Sequence, residues 1–168
     1  MTGVPAAGEV RLRIADSAAM RELGRALAGV VRRGDLIVLS GPLGAGKTTL
    51  TQGLGDGLGV RGPVTSPTFV LARSHPPLGC GPALVHVDAF RLGDAVEVDD
   101  LDLDADMADS VTVVEWGEGK VDHLSADRLD VLIECPATDQ AQPPRVVTVR
   151  GHGPRWDPVD LAAAVHLA

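Results

Sequence analysis

Leu36 to Leu50 reads LIVLSGPLGAGKTTL, and this stretch decides how the chain is built. Four consecutive apolar residues, Leu36, Ile37, Val38 and Leu39, have the length and branching of a strand buried on both faces. Ser40 and Gly41 interrupt it. Gly41, Gly46, Lys47 and Thr48, with Gly44 between them, then fit G-x-x-x-x-G-K-[ST], the phosphate-binding loop. Glycines let the backbone turn so that its N–H groups converge on phosphate oxygens. A helix opening over Gly46 to Thr49 adds free N–H groups and a dipole that favour an anion. The ammonium of Lys47 suits the β- and γ-phosphates, and the hydroxyl of Thr48 suits Mg²⁺. A glycine-rich turn before a core helix would use similar letters. The strand ahead and the apolar run behind favour the phosphate loop, as does the scarcity of lysine, for only Lys47 and Lys120 occur.

The chain has 168 residues, 45% of them hydrophobic and 23% charged, so one domain with a real core is the expectation, over residues 9–168. The small and polar residues 1–8 are expected to be disordered. Phe and Trp number two each and Tyr is absent, which leaves Val, Leu, Ile and Ala to build the core. A net charge of −8 argues against direct binding to nucleic acid or to an anionic membrane, both of which need a basic face. Action on RNA through a partner stays open. There is no aromatic stacking platform for single strands. Cys80 and Cys135 are far apart without CxxC spacing, which suggests a reduced, intracellular chain with no structural metal. The N-terminus lacks a signal-peptide apolar core and no apolar run spans a bilayer, so the cytoplasm is the expected location.

Read in order, Val10, Leu12 and Ile14 alternate with charged residues as a half-buried strand does. Asp16 or Ser17 caps the next helix, whose apolar face is Met20, Leu23, Leu27, Val30 and Val31. The helix after Lys47 is expected to reach about Leu58 despite Gly53, Gly55 and Gly57, each costing roughly 1 kcal/mol against alanine. Those glycines fit either a helix that frays or one packed closely on the sheet. Thr65-Ser66-Pro67-Thr68-Phe69 follows. In phosphate-loop proteins hydroxyls at this place meet Mg²⁺ or the attacking water, although a plain turn reads the same way. Residues 75–82 form a Pro/Gly-rich turn. The strands Ala83–Val87 and Val111–Val114 end in Asp88 and Glu115. A strand-end carboxylate beside the loop can share its Mg²⁺, and the sequence leaves open which strand neighbours Leu36–Leu39. The Asp-rich segment 92–110 lacks EF-hand spacing and reads as solvated. Strands near Leu129–Glu134 and Val146–Val149 flank a turn at residues 139–144. A last helix, opened by Asp157 and Pro158, is expected over Val159–Leu167.

GPLGAGKTT, TSPTF, HVDAFRL and EWGE, in this order and at these separations, resemble the TsaE family, the small bacterial ATPases of tRNA threonylcarbamoyladenosine biosynthesis. The resemblance implies an α/β fold of the P-loop NTPase type, a three-layer sandwich with a mixed central sheet. It implies binding and hydrolysis of ATP with Mg²⁺. It also implies association with the threonylcarbamoyltransferase pair, the TsaD and TsaB type proteins, with tRNA met only through that complex. Carried onto these residues, Gly44, Ala45, Gly46, Lys47, Thr48 and Thr49 hold the phosphates. Thr48 and Glu115 coordinate Mg²⁺, and Asp88 is the carboxylate needed for hydrolysis. Thr65 and Ser66 belong to a switch-like loop, and Ala15 and Ser17 flank the adenine. His86 and Arg91 share the block of Asp88 without a derivable role. Trp116 packs the Mg²⁺ loop or meets a partner. Phe90 stands where tyrosine is usual and Gly117 where proline is frequent.

Two other readings compete. A small-molecule kinase would need an acceptor pocket and lid arginines, for which Arg61 and Arg73 are the candidates. A GTPase-like switch would need N-K-x-D, and Gly119-Lys120-Val121-Asp122 lacks the Asn.

Overall fold

The apolar run at Leu36–Leu39 is a strand at the middle of a seven-stranded mixed sheet. The structure is a computed structural model, and it describes residues 8–65, 72–88, 107–115 and 126–166. Its elements in chain order are β1 (Glu9–Ile14), α1 (Ser17–Ala28), β2 (Leu36–Ser40), α2 (Lys47–Leu58), β3 (Ala72–His75), β4 (Ala83–Asp88), β5 (Ser110–Glu115), β6 (Arg128–Glu134), β7 (Arg145–His152) and α3 (Leu161–Ala164). The spatial order is β1-β7-β6-β2-β5-β4-β3. The four inner strands β6, β2, β5 and β4 run parallel, and β1, β7 and β3 join antiparallel at the two sides. The fold is therefore α/β with a mixed sheet.

Strand periodicity sorts the side chains. Ile37, Leu39, Val111, Val113, Leu129, Val131, Ile133, Val147 and Val149 point to one face and form a single buried cluster with α1, α2 and α3. Leu36, Val38, Val85, Val87 and Val114 point the other way and are buried too, which accounts for the unbroken apolar runs of the inner strands. Among the described residues Trp156 is the largest fully buried side chain, so at least one aromatic does serve the core. It lies against Gly151, where an added Cβ would come within 2.5 Å of the Trp156 Cβ.

Asp16 caps α1, accepting from the Ala19 amide at 2.8 Å. The helix α2 runs its full expected length, and its glycines explain why. A Cβ at Gly53 would sit 2.0 Å from the Arg21 carbonyl oxygen, and one at Gly57 would sit 2.5 Å from the Ala28 Cβ. The close partner at these two positions is α1, not the sheet. Gly55 alone turns toward Val60, Val64 and Leu84. The C-terminal helix departs from expectation. Residues 154–158 form turns, Trp156 N–H donating to the Gly153 carbonyl and Val159 N–H to that of Trp156. Asp160, not Asp157, then caps a short α3.

A buried ion pair fastens this tail beneath β2. Arg155 holds Asp35 with both ends of its guanidinium, at 3.1 and 2.9 Å, and also donates to the Val30 carbonyl at 2.7 Å. The Arg32 amide donates to the same carboxylate at 2.8 Å, so the pair is compensated by further hydrogen bonds.

Candidate functional site

The loop between β2 and α2 takes the shape its glycines allow. Gly44 and Gly46 have φ of 78° and 111°, conformations that side chains rarely adopt. Gly46 is the N-cap residue and offers no side chain to the first turn of α2. That turn carries Lys47, Thr48 and Thr49, and its N–H groups and dipole favour an anion at this end. The Lys47 ammonium reaches back over the loop, donating to the Gly41 carbonyl at 2.9 Å and the Pro42 carbonyl at 3.0 Å. Burial pushes its pKa below the usual 10.5, while Glu115, Asp88 and Cys135, in that order, pull the other way.

The sheet register resolves the choice between strands. β5 pairs directly with β2, placing Glu115 opposite Leu39. β4 is one strand further out, with Asp88 opposite Glu115. Leu39, Glu115 and Asp88 thus form one row at the C-terminal ends of three adjacent parallel strands, on the face covered by α2. Both carboxylates are buried, at 3% and 4% exposure, and both are close enough to act on Lys47. Buried carboxylates are costly unless compensated, so a cationic environment at this spot is what the geometry calls for. The His86 Nε2 lies 3.4 Å from Glu115 Oε1.

At the other end of the loop a cavity of about 260 Å³ is lined by Ala15, Asp16, Ser17 and Met20, by Gly44, Ala45, Gly46 and Thr49, and by Gln142, Pro143 and Arg145. Ala15 and Ser17 are therefore joined to the glycine loop in one cavity. The wall from residues 141–145 has no counterpart in the sequence reading, which saw only a turn there. Arg145 donates to the Ala45 and Gly44 carbonyls at 3.4 Å and to that of Pro143 at 2.7 Å, which ties the turn to the loop. The only local signal is an arginine opening a strand after two prolines, which is too common to find it.

Thr65 is exposed and leaves from beside α2, where the Gln52 amide donates to the Val64 carbonyl at 3.0 Å. Arg61 and Arg73 line a separate cleft with Pro63 and His75. Ser66, Phe69, Phe90, Arg91, Trp116, Gly117, Lys120 and Asp122 lie outside the described residues, as do residues 92–106 of the acidic segment and residues 1–7 of the N-terminus.

The donors suit magnesium. Among the described residues no group of three or more His, Cys, Asp or Glu side chains could hold a metal alone. Magnesium does not require one, since it binds through one or two carboxylates with waters and phosphate oxygens. Glu115 Oε1 is buried without a hydrogen-bond partner, and Thr48 stands half-buried in the first turn of α2. Among the described residues no helix is long and apolar enough to cross a membrane.

Sheet and site together define a class: an α/β protein whose strand–glycine-loop–helix unit opens onto two buried strand-end carboxylates. Comparison with known proteins narrows it. The model of the family described as threonylcarbamoyl adenosine biosynthesis protein TsaE matches residues 14–142. A Streptomyces coelicolor protein called tRNA threonylcarbamoyladenosine biosynthesis protein TsaE is 63% identical over 144 residues, covering 85% of this chain and 97% of that one. A Bacillus subtilis protein of the same name is 32% identical over 150 residues, covering 89% and 90%. The crystal structure of Bacillus subtilis YdiB superposes with a TM-score of 0.71 at 27% identity, over 94% of this chain and 93% of that one. The chain belongs to the TsaE family.

Proposed function

We propose that the chain is a Mg²⁺-dependent ATP-binding protein with weak ATPase activity, serving the threonylcarbamoyl modification of the tRNA adenosine next to the anticodon. It works in the cytoplasm by nucleotide-dependent association with the TsaD and TsaB type transferase pair. The names of its relatives support the pathway. The observation that carries the chemistry is the meeting of Lys47, Glu115 and Asp88 at the mouth of the glycine loop.

In this reading Ala15 and Ser17 flank the nucleoside, and Gly44 to Thr49 take the phosphates. Lys47 exchanges the Gly41 and Pro42 carbonyls for phosphate oxygens. Thr48 and Glu115 hold Mg²⁺, which supplies charge neutralisation at the transferred phosphoryl group. Asp88 or the loop from Thr65 orients the attacking water. Among the described residues no arginine finger is evident, so hydrolysis by the chain alone should be slow, with Arg91 or a residue of a partner the candidates to supply one.

The deciding experiment measures ATP hydrolysis with and without the transferase pair. Stimulation by the pair, with capture of the pair in ATP but not in ADP, is the expected result. Equal capture with ATP, ADP and no nucleotide overturns nucleotide-dependent association, and a phosphorylated acceptor in place of free phosphate overturns hydrolysis.

The two cysteines give an independent check on where nucleotide sits. Both are free and exposed, but Cys135 is near enough to act on Lys47, whereas Cys80 is at the opposite end of the sheet, its carbonyl held by Arg33. MgADP should slow alkylation of Cys135 relative to that of Cys80, because phosphates bound beside Lys47 would lie near the first thiol and far from the second. Cys80 should react at its unliganded rate. Peptide mapping by mass spectrometry reads both at once, and equal slowing of the two would count against the loop as the binding place.

A further inference from the structure

We propose that His86 is a positioning residue for Glu115: its imidazole orients the carboxylate that takes the cation. The inference rests on reading Glu115 as a metal ligand. His86 is fully buried on β4, between Leu84 and Asp88 on the face covered by α2. The β4–β5 register sets it opposite Val113, one step below Glu115 on the neighbouring strand. From there Nε2 reaches to 3.4 Å from Glu115 Oε1. Glu115 thus stands between the Lys47 ammonium at the mouth and an imidazole at its back.

The arrangement is unfinished. Neither His86 nitrogen has a partner, and neither does Glu115 Oε1. Buried polar atoms left unpaired cost stability. A small turn of the carboxylate completes the bond: one oxygen swings toward the cation while Oε1 accepts from Nε2–H. Carboxylates that bind metals are normally hydrogen-bonded from behind, and such bonds are often long until the ligand arrives. No proton changes hands. The ring only fixes which way the carboxylate faces.

The test uses the full chain with ADP, and Mn²⁺ as the probe followed by electron paramagnetic resonance. His86→Leu should weaken Mn²⁺ binding in the ADP complex about tenfold, and His86→Gln, whose amide can reach the same oxygen, should stay within about threefold of wild type. ADP binding in EDTA should be unchanged in both, and the melting temperature of the ligand-free His86→Leu protein should equal or exceed that of wild type. Should His86→Leu not fold, His86→Asn, too short to reach the carboxylate, carries the same expectation. Wild-type Mn²⁺ affinity in His86→Leu, or equal losses in the Leu and Gln variants, overturns the proposal. Glu115→Gln separates the two levels. If it loses Mn²⁺ and His86→Leu does not, only the role of His86 fails. If Glu115→Gln binds Mn²⁺ like wild type, the metal reading fails with it.

Discussion

Lys47→Ala is expected to weaken ATP binding by roughly tenfold to a hundredfold, the equivalent of one charge-assisted contact at about 1.5–3 kcal/mol. In the structure the ammonium already sits at the loop mouth, donating to two loop carbonyls. Burial pushes its pKa down, against the weaker opposing pull of Glu115, Asp88 and Cys135. Alanine removes that charge from beside two buried acids, which would then repel a triphosphate more strongly. Isothermal titration with ATP in Mg²⁺ measures the effect. An unchanged affinity would remove the loop as the phosphate site.

The second large effect is on the fold. Gly53→Ala should destabilise the protein by on the order of 3 kcal/mol, because overfilling a packed contact outweighs the gain of about 1 kcal/mol in helix propensity. The new Cβ would meet the Arg21 carbonyl at 2.0 Å, and backbone atoms cannot step aside as a side chain tip can. The two helices would have to part along their length, and Gly24 makes the reciprocal contact, its missing Cβ pointing 2.1 Å from the Leu50 carbonyl. A loss of that size lowers Tm by roughly 6–12 °C in a chain of this length. Gly79→Ala is the control, since nothing lies within 4 Å of its added Cβ. A Gly53→Ala protein as stable as wild type would mean that the helices have room to spare and that propensity alone governs the position.

What could be read from the sequence was what is local. The strand, the glycine loop and the opening of α2 at Lys47 are consecutive residues, and each carries a backbone reason of its own. Asp88 and Glu115 were legible as strand ends. Their order beside β2 was not, because parallel pairing leaves no mark on either strand. Ala15 and Ser17 entered through family resemblance alone, and the structure brings both to the glycine loop. The wall of residues 141–145 was invisible for the same reason: Arg145 meets Ala45 across a hundred residues, a contact that no periodicity encodes. Gly53 and Gly57 were seen as glycines in a helix and weighed against the sheet, whereas their neighbour is α1. Trp156 went unnoticed in a chain so poor in aromatics, and the turn it anchors displaces the start of the last helix from Asp157 to Asp160.

The backbone-to-backbone seam between α1 and α2 also sets a gauge. One helix begins beside Ala15 and Ser17, the other at Lys47, so in the function proposed above the two ends of a nucleotide would be held by parts packed backbone to backbone. Such a jaw has a fixed span, set by the glycines of the seam and not by what lies between its ends.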